Sequence, residues 1–333
     1  MNRQPGIPGR LLAHNESSLE PTLGLFGTCG TPADLWRENY FLPWLVQRKL
    51  PFFNPVVPDG KWTAAHATIE ADHLARDGAI VFPVSTMTHG FGSLAEIPFA
   101  IIWALLKGQK ISVFIEMPKD RDSMARGPRQ MALDLIERLC PDFPIAKRCD
   151  SMQELANWAR VTLEDVVAYH HSKMSRTVVV RLPDTVKAPS SVALFGTAGD
   201  NWREPFVSRF RSRNISTYNP VHQDWTSLAH IAEETHHKTG GSAVMTCNIT
   251  TGSDGYGACA EAGWLLLFSI LNGTHVVFKI DTFESIPANK DRNRPRQLIK
   301  AHLARLSQEY PGLVNIAQTD AELFEMCVSM LTK

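Results

Sequence analysis

The chain has 333 residues, of which 44% are hydrophobic and 20% charged, and its 34 basic and 34 acidic side chains give a formal net charge of zero. At roughly 150 residues per domain, this length predicts about two domains. The balanced charge argues against binding of polymeric nucleic acid or of an anionic membrane surface, because both need a basic excess or a basic stripe.

Membrane and secretory segments are not expected. The most apolar stretch, 262–271, is far shorter than the roughly 20 residues that a membrane helix needs. The first twenty residues are polar and interrupted by Pro and Gly, unlike a secretory signal. The six cysteines are scattered without a CxxC spacing, which indicates reduced thiols and no zinc cluster. The sequence therefore predicts a cytoplasmic protein without a membrane partner.

An internal repeat organises the chain. The segment that starts at Leu23 reappears from Val192 with its landmarks in the same order. The landmarks are Phe-Gly-Thr at 26–28 and 195–197, Trp-Arg-Glu at 36–38 and 202–204, Asn-Pro-Val at 54–56 and 219–221, and Gly-x-Gly-x-x-Ala-Glu at 90–96 and 255–261. Such self-similarity predicts a tandem duplication. The predicted parts are an N-terminal tail over 1–22, a first copy over 23–168, a linker over 169–191 and a second copy over 192–333.

Short apolar runs alternate with longer amphipathic segments in each copy. The first copy predicts strands at 23–27, 51–54, 78–84, 110–116 and 144–147, with helices at 33–49, 63–76, 93–107, 122–139 and 151–168. The second copy predicts strands at 192–196, 215–218, 241–247, 274–280 and 313–316, and the β-branched run before it predicts an extra edge strand. This alternation is typical of βαβ crossovers, so we expect two doubly wound α/β domains, each with a roughly five-stranded parallel sheet.

Ligands of such sheets bind beyond the carboxyl ends of the strands, near the point where the strand order reverses. The loops after the first and third strands of each copy are therefore the candidate ligand-binding segments. Their candidate residues are Gly27, Thr28, His89, Gly90, Phe91 and Gly92 in the first copy, and Gly196, Thr197, Asp254, Gly255, Tyr256 and Gly257 in the second. Glycines there let the backbone approach a ligand and expose amides at a helix start, although ordinary turn chemistry explains any single glycine equally well.

Two carboxylates carry the sharpest chemical signal. Glu96 and Glu261 each lie in the predicted first turn of a helix that is otherwise nearly all apolar. We expect such a helix to be buried and its N-terminal end to keep the carboxylate ionised. A single glutamate there is common in first turns, but its recurrence with the same glycines favours a functional role.

Other polar residues are expected at the same edge of the sheet. They are Glu70 and Asp72 in the first copy, and Glu233 and Glu234 in the second. Asp77, which precedes the third strand, should lie at the opposite end as a capping residue. Trp62, Trp225, Phe91 and Tyr256 are candidates to stack on a flat ring or to pack in the core. The histidines form no metal-binding pattern, so neither a metal nor a cofactor is expected.

The chain contains no dinucleotide-binding GxGxxG after its first strand, no P-loop and no GxSxG elbow. Its Phe-Gly-Thr loop, Trp-Arg-Glu helix start, Asn-Pro turn and Gly-[Phe/Tyr]-Gly-x-x-Ala-Glu motif instead resemble the nucleoside 2-deoxyribosyltransferase superfamily. The resemblance covers 24–168 and 192–333 through short motifs.

This resemblance implies flavodoxin-like domains that cleave the N-glycosidic bond of a nucleoside or nucleotide. It assigns the nucleophile to Glu96 and Glu261, and the partner is a small-molecule nucleoside or nucleotide. Six residues before the glutamate the family has an aspartate, where this chain has Gly90 and Gly255. The family builds its sites across a subunit interface, which implies an intrachain pseudo-dimer here and leaves room for a further homo-oligomer.

Two other interpretations remain open. The duplicated pockets could bind a nucleotide without catalysis, their glutamates serving only as hydrogen-bond partners of a ribose. A structural protein with one or both sites decayed after duplication is the third interpretation. Ligand-induced stabilisation without turnover would favour the binding module.

Overall fold

The structure is a computed structural model that describes residues 11–15, 19–29, 34–58, 61–120, 123–139, 146–172, 177–182, 184–221 and 228–332. The chain divides into two compact units between Val180 and Arg181, inside the segment predicted as a linker. No helix in the described part of the chain is long and apolar enough to cross a membrane.

The first unit alternates strands and helices. Its strands are β1 (Leu11–Asn15), β2 (Glu20–Leu25), β3 (Phe52–Phe53), β4 (Asp77–Val84), β5 (Lys110–Ile115), β6 (Ala146–Arg148) and β7 (Thr177–Arg181). Its helices are α1 (Leu42–Arg48), α2 (Ala64–Arg76), α3 (Phe91–Lys107), α4 (Arg126–Leu139) and α5 (Met152–His171), and a π-helical segment, Arg37–Phe41, leads into α1. The observed strands and helices agree with the predicted ones to within a few residues.

Five strands of this unit form a parallel sheet in the order β3-β2-β4-β5-β6. The first strand of the five thus lies between the second and the third, which is the flavodoxin-like order. Trp36, Phe41 and Trp44 pack with α5 against one face of the sheet. Helices α2 and α3 contact the other face, so the sheet is covered on both sides and all eight residues of β4 are buried.

The second unit repeats this architecture. Its strands are β8 (Ser191–Gly196), β9 (Ser216–Tyr218), β10 (Val244–Ile249), β11 (His275–Ile280) and β12 (Asn315–Ile316). Its helices are α6 (Arg203–Ser212), α7 (Leu228–His236), α8 (Tyr256–Asn272), α9 (Lys290–Glu309) and α10 (Asp320–Leu331). The sheet is parallel with the order β9-β8-β10-β11-β12, and α6 and α10 pack on one face through Phe206, Phe210 and Phe324. The prediction of an α/β chain with two five-stranded parallel sheets is confirmed.

Two segments differ from the prediction. Residues 11–15, which were assigned to the N-terminal tail, form β1, and the β-branched run forms β7. The two strands pair with each other in a separate two-stranded sheet. The β-branched run therefore forms a strand, as predicted, and its backbone hydrogen bonds go to β1 rather than to one of the five-stranded sheets.

Candidate functional site

The strand order reverses between β2 and β4 in the first unit and between β8 and β10 in the second. In each unit the residue that follows the first strand is bonded directly to the end of the third strand. The Thr28 amide donates to the Pro83 carbonyl at 2.9 Å, and the Thr197 amide donates to the Asn248 carbonyl at 3.0 Å. At Gly27 and Gly196 φ is 123° and 138°, and a Cβ at either would meet the backbone of the third strand. Glycine is therefore required where the end of the first strand approaches the third strand.

A hydroxyl and carboxylate network joins the loops in each unit. In the first unit the hydroxyls of Thr28 and Ser85 are 3.0 Å apart, and Ser85 donates to the Asp34 carboxylate at 3.0 Å. The second unit has the same set, since the hydroxyls of Thr197 and Thr250 are 2.8 Å apart and Thr250 donates to Asp200. Thr28 and Thr197 thus lie at the carboxyl ends of the strands, the edge of the sheet at which they were predicted.

The sequence interpretation missed the two aspartates of this network. Asp34 and Asp200 each stand two residues before the Trp of the repeated Trp-Arg-Glu. The longer pattern Asp-x-Trp-Arg-Glu was therefore the signal that could have found them.

The Trp-Arg pair of that motif fixes the loop after the first strand. Trp36 Nε1 donates to the Thr28 carbonyl at 2.8 Å, and Arg37 donates to the carbonyls of Leu25 and Thr28 at 2.9 Å each. In the second unit, Trp202 Nε1 donates to the Thr197 carbonyl at 2.9 Å. Arg203 donates to the carbonyls of residues 194, 196 and 197, and burial lowers its pKa to about 10.

A second buried arginine in each unit holds the loop after the third strand. Arg129 donates to the Ser85 and Thr88 carbonyls at 2.7 and 2.8 Å and also reaches the ends of β4 and β5. Arg296 donates to the Ser253 and Asp254 carbonyls at 3.0 and 3.1 Å and contacts the ends of β10 and β11 in the same way. Both side chains are fully buried, and burial lowers the pKa of each guanidinium. These arginines fix the backbone of the loops that lead into α3 and α8.

The helices that carry the candidate nucleophiles begin earlier than predicted. Gly90 and Gly255 have φ of 70° and 65° and act as N-caps, and the Gly90 carbonyl accepts from the Leu94 amide at 2.9 Å. Phe91, Gly92, Tyr256 and Gly257 are therefore the first helical residues of α3 and α8 rather than loop residues.

This earlier start places Glu96 and Glu261 in the second turn of their helices, so the predicted first-turn position is wrong. The field of a helix terminus falls off within the first turn, so the helix end stabilises the ionised form of these carboxylates less than expected. The predicted burial of the helices is confirmed, because the side chains of 93–106 are all buried. Glu96 itself is 3% exposed.

The first unit places a second carboxylate on the helix beside α3. Glu70 lies on α2, which contacts α3, and it is buried. Its Oε1 accepts a 2.7 Å hydrogen bond from Trp62 Nε1. Trp62 is itself buried, and its indole N–H fixes this carboxylate. Asp72 is partly exposed, because two residues along a helix turn a side chain by about 200°.

The second unit contains a buried cation between the matching carboxylates. Lys238 Nζ donates to Glu234 at 2.5 Å and forms an ion pair with Glu261. The three side chains are only 8%, 14% and 13% exposed. Burial raises the pKa of Glu261 despite the opposing effect of Lys238, and burial lowers the pKa of Lys238 less than the two carboxylates raise it. The carboxylate that shares Lys238 with Glu261 is therefore Glu234, whereas Glu233 is exposed.

Ring stacking shows which residues of the two units correspond. His73 stacks on Phe53 with ring centroids 3.7 Å apart, and His237 stacks on Tyr218 at 3.8 Å. The residues that follow the two histidines, Leu74 and Lys238, therefore match. The segment His237–Gly241 is kinked, with non-helical dihedrals at Thr239 and Gly240. It adds one residue before β10 that α2 does not have before β4.

The remaining predicted residues lie around the loop after the third strand or away from it. His89 is exposed and stacks on Phe91 with centroids 5.4 Å apart. Asp254 pairs with Arg292 at 2.8 Å, and burial raises the pKa of Tyr256. Asp77 lies at the opposite end of the sheet, as expected, and contacts His73. Trp225 lies outside the described residues. Across the described residues, no group of three or more His, Cys, Asp or Glu side chains could hold a metal ion.

No protein-family model matches the chain, and no curated protein matches it. Among solved structures, a C2-type ketoreductase from a modular polyketide synthase is similar at 13% identity, with 96% of each chain covered and a TM-score of 0.24. A tyrosine-to-phenylalanine mutant of a metal-free periplasmic metal-binding protein from Candidatus Liberibacter asiaticus is similar at 8% identity, with 87% of this chain and 100% of that chain covered and a TM-score of 0.19.

Proposed function

We propose that the protein cleaves the N-glycosidic bond of a nucleoside or nucleotide, or transfers its 2-deoxyribosyl group, through a glutamate nucleophile. The supporting observation is the recurrence of one constellation. In each unit a glutamate of a buried helix, Glu96 or Glu261, follows a loop whose carbonyls are held by a buried arginine. The arginine hydrogen bonds fix the backbone that enters this helix, as positioning of a reacting group requires.

The proposed reaction follows from the chemistry of a carboxylate beside an anomeric carbon. A glutamate oxygen forms a bond with that carbon while the carbon–nitrogen bond breaks, and the bonding electron pair leaves with the base, which takes up a proton. Water or a second base then releases the sugar from the glycosyl-enzyme with net retention. Hydrolysis and transfer differ only in this second acceptor.

The pseudo-dimer is also a proposal, and the duplication supports it. Two copies of one unit in a single chain can associate as two identical subunits do, since the same surface is present twice. A small-angle scattering profile of two extended lobes without contact would contradict the proposal.

One observation favours a second candidate function, the binding of a nucleotide without catalysis. The Lys238 ammonium is paired with Glu261, and a carboxylate engaged in a buried ion pair is a weak nucleophile because breaking the pair is costly. Ligand-induced stabilisation without release of base would indicate this function.

The test is release of free base from a panel of deoxynucleosides, ribonucleosides and nucleotides, measured chromatographically. We expect the wild type to release base from at least one of them. Glu96→Gln combined with Glu261→Gln should lose more than about 1,000-fold in kcat, as expected when a nucleophile is removed.

The control replaces two exposed glutamates of the Trp-Arg-Glu motif, Glu38→Gln and Glu204→Gln, and should keep full activity. A wild type that releases no base, or a Glu96/Glu261 double variant with full activity, would refute the proposed function.

A further inference from the structure

The loops after the first and third strands of the first unit turn their backbone donors inward. The Thr28 amide donates to a carbonyl of β4 at 2.9 Å, and the Ser85 amide donates to the Thr28 hydroxyl at 3.1 Å. The Thr86 amide donates to the Glu116 carboxylate at 2.8 Å, and the Met87 amide donates to the Ser85 hydroxyl at 3.4 Å. These four amides are therefore engaged within the protein.

The second unit repeats this pattern at matching positions. The Thr197 amide donates to a carbonyl of β10 at 3.0 Å, and the Thr250 amide donates to the Thr197 hydroxyl at 3.3 Å. The Gly252 amide donates to the Thr250 hydroxyl at 3.4 Å. A loop that binds phosphate instead directs its amides at the anion. The amides named in both units are thus used by the loops themselves and not by a phosphate.

A carboxylate lies beside the hydroxyl groups of each unit. The Ser85 hydroxyl donates to Asp34 at 3.0 Å, and the Thr250 hydroxyl donates to Asp200. Asp34 is 9% exposed, and Asp200 is partly exposed. A carboxylate has about four acceptor positions, more than one hydroxyl hydrogen occupies. Each sheet edge therefore offers a ligand a negatively charged hydrogen-bond acceptor.

The hydroxyl groups also lie against the helices that carry the candidate nucleophiles. A Cβ at Gly90 would be 3.0 Å from the methyl carbon of Thr28, and a Cβ at Gly255 would be 2.7 Å from that of Thr197. Gly90 is the N-cap of α3, and Glu96 follows it on this helix after a rise of roughly 9 Å. The acceptor and the candidate nucleophile therefore belong to one edge of the sheet, as two contacts of a single nucleoside require.

Three arginines near these loops already have acceptors. Arg129 and Arg296 are fully buried and donate to carbonyls of the loop after the third strand. Arg292 pairs with the Asp254 carboxylate at 2.8 Å. A phosphate at these loops would have to compete with those acceptors and would lie close to a carboxylate. Juxtaposed like charges in a binding site cost several kcal/mol, so this edge suits a hydrogen-bond donor better than an anion.

We propose that Asp34 and Asp200 accept a hydrogen bond from a hydroxyl group of the substrate sugar, so that the sites take the unphosphorylated nucleoside and reject the nucleotide phosphorylated at that hydroxyl. This inference rests on the proposed function, whose substrate it specifies. A hydroxyl group supplies the donor that a carboxylate binds strongly, whereas a phosphate brings a second negative charge. Asp34 and Asp200 are thus specificity-determining residues.

The first measurement compares ligands on the full-length wild type. Equilibrium dialysis gives the dissociation constants of the four common 2′-deoxynucleosides and of their 3′- and 5′-monophosphates. The Glu96→Gln/Glu261→Gln variant replaces the wild type for any ligand that loses its base. Loss of a hydrogen bond to a charged group and repulsion of like charges predict at least about 100-fold weaker binding of one of the two monophosphates. Equal affinity for a nucleoside and both of its monophosphates would overturn the proposal.

A second measurement on the wild type separates charge from size. An amino group in place of the sugar hydroxyl is an ammonium group at neutral pH and remains a donor. The 3′- or 5′-amino analogue of the tightest-binding nucleoside, substituted where phosphate is rejected, should therefore bind at least as tightly as its parent. Binding more than about tenfold weaker than that of the parent would overturn the assignment of a carboxylate acceptor.

The double variant Asp34→Asn with Asp200→Asn removes the charges and keeps the side-chain shape. It should reduce the preference for the nucleoside over the rejected monophosphate by at least about tenfold. The matched control replaces the exposed glutamates of the same motif, Glu38→Gln with Glu204→Gln, and should keep the preference. An unchanged preference in the folded Asp34/Asp200 variant would contradict the proposal. The two wild-type measurements need no variant.

The outcomes separate this inference from the proposed function. Release of base from a nucleoside and from both of its monophosphates with equal kcat/KM would support the proposed function and overturn the inference. Preferential binding of nucleosides without release of base would refute the proposed cleavage and support the inference. Neither binding nor release of base with any of these ligands would refute both.

Discussion

The two units share one backbone plan and differ in the chemistry beside their glutamates. Both hold their strand-end loops with a buried Trp-Arg pair and a second buried arginine. The first unit fixes Glu70 with a neutral indole donor, whereas the second places the Lys238 cation between two carboxylates. A duplicated scaffold can therefore keep its loop supports while a single residue changes the electrostatics of the site.

The loop-supporting arginines are the shared feature, so their removal should affect both units alike and most strongly. Arg129→Met and Arg296→Met should each lower the free energy of unfolding of their unit by about 4 kcal/mol, because several buried carbonyls lose a charged donor. Hydrogen exchange measured on peptides of each unit reports the loss of stability of that unit separately.

Arg292→Met is the control for this comparison. Its partner Asp254 lies in the same loop, but both side chains are 43% exposed, so the cost should be about 0.5 kcal/mol. Equal costs for Arg292 and Arg296 would show that burial does not decide the contribution of these arginines.

Lys238 is the feature that the units do not share. Lys238→Met should lower the free energy of unfolding of the second unit by about 3 kcal/mol at pH 7, because two buried carboxylates lose their cation. Burial raises the pKa of Glu261, so the neutral form stabilises the fold below the ordinary Glu pKa of about 4.3, and this contribution is lost as the pH rises through the raised value. Hydrogen exchange at several pH values should show the deficit shrinking as the pH falls.

The matching residue of the first unit provides the control. Leu74→Met conserves volume and apolar character and should cost under about 1.5 kcal/mol, with no dependence on pH. A loss in Lys238→Met that stays constant between acidic and neutral pH would contradict the electrostatic explanation.

A smaller difference lies at the opposite end of the sheets, where Asp77 begins β4 and Ser242 precedes β10 by two residues. Asp77 is fully buried and contacts His73 Nδ1 at 3.1 Å, and burial raises its pKa. Its contribution is therefore complete below the ordinary Asp pKa of about 3.9 and is lost as the pH rises through the raised value. Asp77→Asn should reduce the change of the unfolding free energy with pH by about 1 kcal/mol in the first unit. Urea unfolding at several pH values measures this change.

Ser242→Ala is the counterpart in the second unit. Ser242 contacts His237 Nδ1 at 2.8 Å, and loss of this hydrogen bond should cost about 1 kcal/mol. Serine does not titrate in this range, so Ser242→Ala should leave the pH dependence of the free energy of unfolding unchanged. If the free energy of unfolding of Asp77→Asn depends on pH as steeply as that of the wild type, another group is responsible for the pH dependence.

The positions of the strands and helices were largely predictable, because apolar runs and amphipathic periods report local backbone geometry. The repeat also located the loops at the strand ends. The start of α3 was missed by two residues, since a glycine at positive φ acts as an N-cap without a capping side chain. Strand β1 was missed because its pairing with β7 joins segments far apart in the sequence.

The sequence by itself determined the duplication, the α/β class and the recurrence of Glu96 and Glu261, because these follow from repeated residues and short-range periodicity. The tertiary structure decided which charges meet. It buried Arg129 and Arg296 against backbone carbonyls, and it brought Lys238 between Glu234 and Glu261. The physical reason is that the burial of a charge and the identity of its partner depend on contacts between distant segments. A kink that adds one residue after α7 leaves no periodic signal in the sequence.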